Sequence, residues 1–355
     1  MNKKISVVMS AYNEPERFLR ESIESILNQT YRDFEFIIIQ DKPDNEAIER
    51  VVKEYAAKDD RIRFYKNEKN IGLAMSLNRG IELARYDIIA RMDADDIALP
   101  ELLEKDLAYL EAHPEMHLVS IKCIKIDENG NQVRESIKLP HNFSQTKRVM
   151  KEHNVVMHPG AMLYKKDFMQ IGGYRNFPAS QDYDLWLRYI TNNWGIGFVH
   201  EVLIKYRVST NNTSMGNSLR QWACHKFILK MYKERLKNGK DSFTNESLSK
   251  YLNDIGCNDP KSRDAFNKGH DLIFQGGTAL RKLKFIKVSR CLKAAYASHP
   301  EMKEYTRFVV RNRINPRMSL ERKDLFLCFT PRSVAFFPGI FCRSSSSSGS
   351  PQLRA

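Results

Sequence analysis

Mostly apolar runs at positions 5–9, 34–39, 62–65 and 86–92 alternate with segments 17–27, 48–55 and 73–84, where apolar residues return at helical spacing. Short runs rich in Ile and Val read as strands, and the amphipathic segments between them as helices. Strands that are apolar on both faces and joined by helices predict an α/β fold with a mostly parallel central sheet covered on both sides. Such sheets bind ligands beyond the carboxyl ends of their strands. The residues there are polar, small or aromatic: Ser10, Ala11, Tyr12, Asn13 and Glu14 after the first run, Gln40 and Asp41 after the second, Asn67, Asn70 and Gly72 after the third, Asp93 and Asp95 after the fourth. These four strand ends are expected to meet in one crevice.

Further along, Pro100 is placed to open a helix that continues through 102–110, since proline suits a first helical turn. Segment 118–126 reads as a strand, and Asp127, Glu128, Asn129 and Gly130 form a turn into 132–137, a hairpin pattern. A stretch of mixed pattern follows, with His158, Pro159, Gly172, Gly173 and Tyr174. Ser180 is a candidate N-cap for a helix in which Leu185, Trp186 and Tyr189 share an apolar face and Asp182 lies in the first turn. From about Asn217 the chain becomes basic and helix-like. The expected organisation is therefore a main domain over 1–216, a basic helical region over 217–343, and a low-complexity, disordered tail over 344–355, either a natural end or an expression remnant. The aromatic segment 325–341 is broken by Pro331, Arg332 and Pro338, which suits either a membrane interface or a strand or loop closing the core.

Composition adds limits. With 42% hydrophobic and 28% charged residues among 355, the chain is ordinary globular material. No segment has the roughly 18 consecutive apolar residues of a membrane span. The N-terminus runs straight into a strand pattern without a cleavage signature, which argues against a secretory signal and for the cytoplasm. Cys123, Cys224, Cys257, Cys291, Cys328 and Cys342 are scattered, a pattern of free thiols rather than zinc ligands or a disulfide framework. The formal net charge of +14 is concentrated late, at Arg281, Lys282, Lys284, Lys287, Arg290, Lys293, Arg307, Arg311, Arg313, Arg317, Arg322 and Lys323. Nucleic acid, an anionic membrane or a diphosphate-bearing acceptor would each suit it, as would plain solvated helix faces.

The sharpest local feature is Asp93-Ala94-Asp95-Asp96, three carboxylates where a strand stops. Neighbouring carboxylates stay ionised only if a cation, a helix N-terminus or water offsets their charge. Oxygen-only ligands favour Mg²⁺ or Mn²⁺, ions that bind through one or two carboxylates plus substrate phosphates. A nucleotide is the expected ligand, with a solvated turn as the bland alternative.

Taken together, the chain resembles the family 2 inverting glycosyltransferases of the GT-A fold, a Rossmann-like architecture, over roughly residues 5–207. The resemblance is carried by Ser6-Val7-Val8-Met9-Ser10-Ala11-Tyr12-Asn13-Glu14, Asp41, Asn70-Ile71-Gly72 with Asn78 and Gly80, Asp93-Ala94-Asp95-Asp96, Gly172-Gly173-Tyr174-Arg175, and Gln181-Asp182-Tyr183-Asp184-Leu185-Trp186-Leu187-Arg188. It implies that Ala11, Tyr12, Asn13 and Glu14 border the nucleobase and ribose, with Gly72 and Asn78 in the same cofactor-binding set. Asp41 would accept from the base, usually uracil; taken alone it reads as a turn cap. Asp93 would lie near the ribose or the metal, Asp95 would bind Mn²⁺ or Mg²⁺, and Arg91 would add a positive contact or form a structural salt bridge. Asp182 would be the catalytic base, and Asp184 would support the helix or acceptor site.

The resemblance further implies transfer of a hexose (glucose, galactose or an N-acetyl derivative) from a UDP-sugar, forming a β linkage. The acceptor would be lipid-diphosphate-linked or a glycan, as in bacterial O-antigen or capsule assembly, with the enzyme peripheral at the inner face of the membrane. Two departures stand out. Gln181 replaces the Glu that many relatives carry before the base, and Ser209 follows Tyr206-Arg207-Val208 where many have His. A nucleotidyltransferase is the alternative enzyme; nucleic-acid binding through the basic face finds no glycine-rich phosphate loop, ribonucleoprotein motif or zinc-finger spacing to support it.

Overall fold

The computed structural model describes residues 3–135, 139–208 and 218–314. β1 (Ile5–Ala11), β2 (Phe34–Gln40), β3 (Ile62–Lys66) and β4 (Ile88–Asp93) alternate with α1 (Glu16–Leu27), α2 (Glu46–Ala56) and α3 (Leu73–Leu83). β1 runs parallel to both β2 and β4, with Ile5 opposite Phe34 and Ile88. β3 extends the parallel array from β2. All their carboxyl ends thus lie along one edge, as the apolar runs predict.

Beyond β4 the sheet becomes mixed. After β5 (Ile97–Ala98) and α4 (Leu102–Ala112) come β6 (Met116–Ile126), β7 (Gln132–Glu135), α5 (Phe143–Val149), β8 (Met162–Tyr164), α6 (Lys165–Gln170), α7 (Gln181–Thr191) and β9 (Gly195–Arg207). The order is β3-β2-β1-β4-β8-β6-β9-β5, with β7 paired to β6. β8 is antiparallel to β4 and β6, whereas β9 is parallel to β6. The expected hairpin is present as β6–β7. Pro100 precedes its helix rather than entering it: Glu101 occupies the N-cap position of α4. β9 has no counterpart in the sequence expectations, because exposed His200 and Glu201 interrupt its buried pattern.

Strand side chains alternate between faces, and two cores result. Val7 and Met9 join Leu19, Ile23, Val51 and Leu103 on one side. Val8, Ile37 and Ile39 join Leu77, Ile81 and Trp186 on the other. This second core continues into α8 (Ser218–Asn238) through Trp222, Phe227 and Met231. α9 (Asn245–Asp254), α10 (Pro260–Arg281), α11 (Phe285–Ser298) and α12 (Met302–Ile314) complete the helical region. No described helix is long and apolar enough to cross a membrane. The four described cysteines, Cys123, Cys224, Cys257 and Cys291, are buried free thiols. Cys328, Cys342, Ser209, the 216/217 boundary and segments 325–341 and 344–355 lie outside the described residues.

Candidate active site at the strand ends

Side chains at the ends of β1 and β2 brace the loops that follow the first three parallel strands. After β1, Tyr12 is 46% exposed, and its N–H donates to the Glu14 carboxylate at 2.8 Å. The Asn13 Oδ1 accepts from Lys42 and Asn45, each at 3.2 Å. After β2, buried Asp41 accepts from Asn67 Nδ2 at 2.8 Å and Ile71 N at 2.9 Å on Oδ1, and from Gly72 N at 2.9 Å on Oδ2. Its carboxylate therefore holds the 67–72 loop, as a turn-capping aspartate does. Only a second lone pair on Oδ2 is left for a ligand. Gly72 takes φ 85° and ψ 159°, a combination essentially restricted to glycine.

Asn78 is a brace as well. Its Oδ1 accepts from Tyr174 N at 2.8 Å and its Nδ2 donates to Tyr174 O at 2.9 Å, so its amide is spent on the turn after α6. Gly173 in that turn has φ 62°, and a Cβ there would stand 2.8 Å from Asn78 Oδ1. Gly173→Ala is therefore expected to lose about 2 kcal/mol of stability from the left-handed backbone and the clash, read as a lower denaturation midpoint with an unchanged m-value.

The acidic turn follows β4. Arg91 is buried and forks onto Asp93, with Nη1 at 2.7 Å from Oδ2 and Nη2 bonded to Oδ1. Arg91 thus forms a buried salt bridge, with its Nε left without a protein partner. Carboxylate oxygens of Asp93, Asp95 and Asp96 all lie within 4.8 Å of one another. Arg207, at the end of β9, clamps the turn: its N–H donates to Asp96 Oδ1 at 2.8 Å and its Nε to Asp95 O at 2.9 Å. Burial, then the charges of Asp93 and Glu14, push the Asp95 carboxyl up to about 7. Glu14 is also raised, chiefly by burial. The Asp96 Oδ2 is buried with no protein partner. An all-oxygen set with an orphaned buried oxygen and mutual repulsion fits a hard divalent cation. Asp95 and Asp96 are the members not engaged by Arg91.

Asp182 stands at the start of α7. Ser180 occupies the N-cap position with φ 60° but makes no side-chain cap. Asp182 Oδ2 accepts from Asn154 Nδ2 at 2.7 Å. Burial raises its pKa, opposed by its own helix N–H groups, Arg91 and Asn154. Tyr174 is buried close to the carboxylates of both Asp182 and Asp93. Its hydroxyl, 2.8 Å from His158 Nε2, lies in the fields of Arg91, Asp182 and Asp93 together. The metal-type cluster and the expected base therefore share one electrostatic neighbourhood.

Residues 6–172 match the family described as Glycosyl transferase family 2. The uncharacterized glycosyltransferase MJ1057 of Methanocaldococcus jannaschii is 39% identical over 234 residues, 66% of this chain and 81% of the relative. The O-antigen biosynthesis glycosyltransferase WbnJ of Escherichia coli is 35% identical over 231 residues, 64% and 88% of the two chains. The chain belongs to glycosyl transferase family 2. In fold the transferase is similar to S. aureus TarS 1-349, crystallised in complex with UDP-GlcNAc, at TM-score 0.52 and 16% identity, covering 83% of this chain and 92% of that one.

Asp184 takes the structural of its two expected roles in the transferase. Fully buried, it accepts from Arg188 Nε at 2.9 Å, while Arg188 donates to Ile171 O at 2.7 Å and Gly173 O at 2.6 Å. Arg175 and Arg235 lie 3.6 and 3.8 Å from Asp184, and both bond to Asp241 beyond α8. The helix that carries Asp182 in its first turn is thereby tied to the C-terminal helices. Sequence reasoning assigned no role to Asn154, Tyr174 or Arg207, and read Asp96 only as a member of the acidic cluster. Tyr174 and Arg207 were visible only as motif letters; Asn154 carried no local signal. His158 joins the site, whereas His200 stacks on His141 at 4.6 Å.

Proposed function

We propose that the transferase is an inverting, metal-dependent enzyme that moves a hexose from a UDP-sugar to a lipid-diphosphate-linked or glycan acceptor in surface-glycan assembly, working at the inner face of the membrane. The single observation that carries this reading is the set of Asp93, Asp95 and Asp96 carboxylates gathered within 4.8 Å of one another at the strand ends, with buried Asp182 close enough to feel the charge of Arg91, which forks onto Asp93. Inversion requires a base and a departing diphosphate at one carbon. The O-antigen relative and the UDP-GlcNAc-bound neighbour support the substrate classes.

In this reaction the acceptor hydroxyl attacks the anomeric carbon and Asp182 takes its proton. The bond from that carbon to the diphosphate oxygen breaks, and its electron pair leaves with UDP. Transfer with inversion forms the β linkage from an α-linked donor. A bound Mn²⁺ or Mg²⁺, held by Asp95 with Asp93 or Asp96, would offset the charge gathering on the diphosphate. Tyr12 offers an exposed ring to a base, with Asn13 and Glu14 around the nucleoside, whereas Ala11 is buried in the core of the sheet behind them. Asp41, Gly72 and Asn78 act by positioning the loops beside it. Asn154 favours the ionised form of the base by donating to it, against the opposing effect of burial.

A donor screen tests the proposal. UDP release from one of the common UDP-hexoses is expected to rise at least tenfold when a synthetic lipid-diphosphate sugar is added. Diphosphate release from nucleoside triphosphates without any UDP-sugar turnover would instead make the protein a nucleotidyltransferase.

A further inference from the structure

The turn between α10 and α11 displays Ile286, Leu283 and Phe285 at 73, 72 and 64% exposure, the three most exposed large apolar side chains among the described residues. Leu280 adds a fourth at 50%. Leu283 sits in the left-handed region, φ 54°, where glycine would hold the same turn with less strain. A bulky side chain is thus kept, against local preference, at the point where it projects into solvent. Leu283, Phe285 and Ile286 border an open hollow of about 880 Å³ with Leu272, Lys287 and Arg290.

The charge around this tip has one sign. Residues 272–300 contain Arg281, Lys282, Lys284, Lys287, Arg290 and Lys293 and no Asp or Glu. Apolar side chains ringed by cations bind an interface whose interior takes the apolar groups and whose surface is anionic. A second copy of the chain would bring like charge against like across a two-fold axis. The segment 315–355 is also net basic, with six cations and two acids. A polynucleotide would satisfy the cations and leave Leu283, Phe285 and Ile286 in water.

We propose that the α10–α11 tip is a membrane-docking element that inserts Leu283, Phe285 and Ile286 at the acyl boundary of an anionic bilayer, with Lys282, Lys284, Lys287 and Arg290 against its headgroups. The proposal deepens the reading of a lipid-linked acceptor and rests on it for its purpose.

The test is sedimentation of the full chain with vesicles of phosphatidylglycerol and phosphatidylcholine, against phosphatidylcholine alone. UDP-sugar turnover on a water-soluble acceptor analogue is measured in parallel. The native chain is expected to bind only the anionic vesicles, less so at high salt. Phe285→Glu with Ile286→Glu should cut binding at least tenfold, as should Lys284→Glu with Lys287→Glu, with turnover and circular dichroism unchanged. Vesicle binding without turnover sinks the transfer reading and leaves the docking surface standing. The docking proposal is overturned if the native chain ignores anionic vesicles, or if the apolar pair of substitutions leaves binding intact. It is equally overturned if that pair abolishes a dimer seen by light scattering while vesicle binding persists.

Discussion

Asp182→Asn is expected to lower kcat for sugar transfer by about 10³-fold while leaving UDP binding unchanged, since a positioned base contributes roughly 10²–10⁴-fold. The substitution is nearly isosteric, and the introduced amide oxygen can still accept from Asn154 Nδ2, so the start of α7 keeps its partner. What is lost is the group that receives the acceptor proton. Single-turnover transfer together with calorimetric titration of UDP separates the two effects. Equal losses in both would remove Asp182 from the chemistry. The pH profile adds a sign. Burial holds the Asp182 carboxyl above its ordinary range, so kcat should fall as pH drops through that raised value. Asn154→Ala removes a donor that favours the ionised form and should move the acid limb to higher pH.

Asp95→Asn should abolish Mn²⁺-dependent UDP binding and transfer, yet stabilise the ion-free protein by about 2 kcal/mol near neutral pH once solvent screening is allowed for. The two results have one cause. Asp95 is crowded by Asp93 and Glu14 in a partly buried turn, and its carboxyl is pushed up to about 7. For a carboxylate the folded-state value then exceeds the unfolded one. The unfolded chain ionises first, and the ion-free fold loses stability as pH rises from the ordinary carboxylate range to about 7. A divalent cation reverses this by binding the ionised form. Thermal denaturation with and without Mn²⁺ should show a gain in Tm for the native chain that is larger at about pH 8 than at about pH 5, and none for the variant. A gain retained in Asp95→Asn would move the cation site elsewhere.

How much of the site was legible follows from the range of each interaction. Tyr12, Asn13, Glu14 and the Asp93–Asp96 turn were legible because a parallel strand delivers whatever follows it to the carboxyl edge. Asp41 was legible as a position and less so as a role: its three donors come from Asn67, Ile71 and Gly72, and hydrogen bonds from one loop to another leave no periodic trace. Asn78 and Arg91 look like ligand groups in a motif. Each instead meets a partner within the protein, Asn78 at Tyr174 across 96 positions and Arg91 at Asp93 two positions on.

The sequence by itself determined the parallel half of the sheet, the acidic turn at its edge and the helix that carries Asp182 in its first turn. Apolar periodicity and the chemistry of adjacent residues act over a few positions and need no folded partner. The tertiary structure alone decided that Arg207 clamps the Asp95–Asp96 turn from β9, that Asn154 meets Asp182, and that Asp184 is locked among Arg175, Arg188 and Arg235. These contacts join segments up to 112 residues apart, and what selects among such partners is the burial of charge, which exists only once the chain has closed around it.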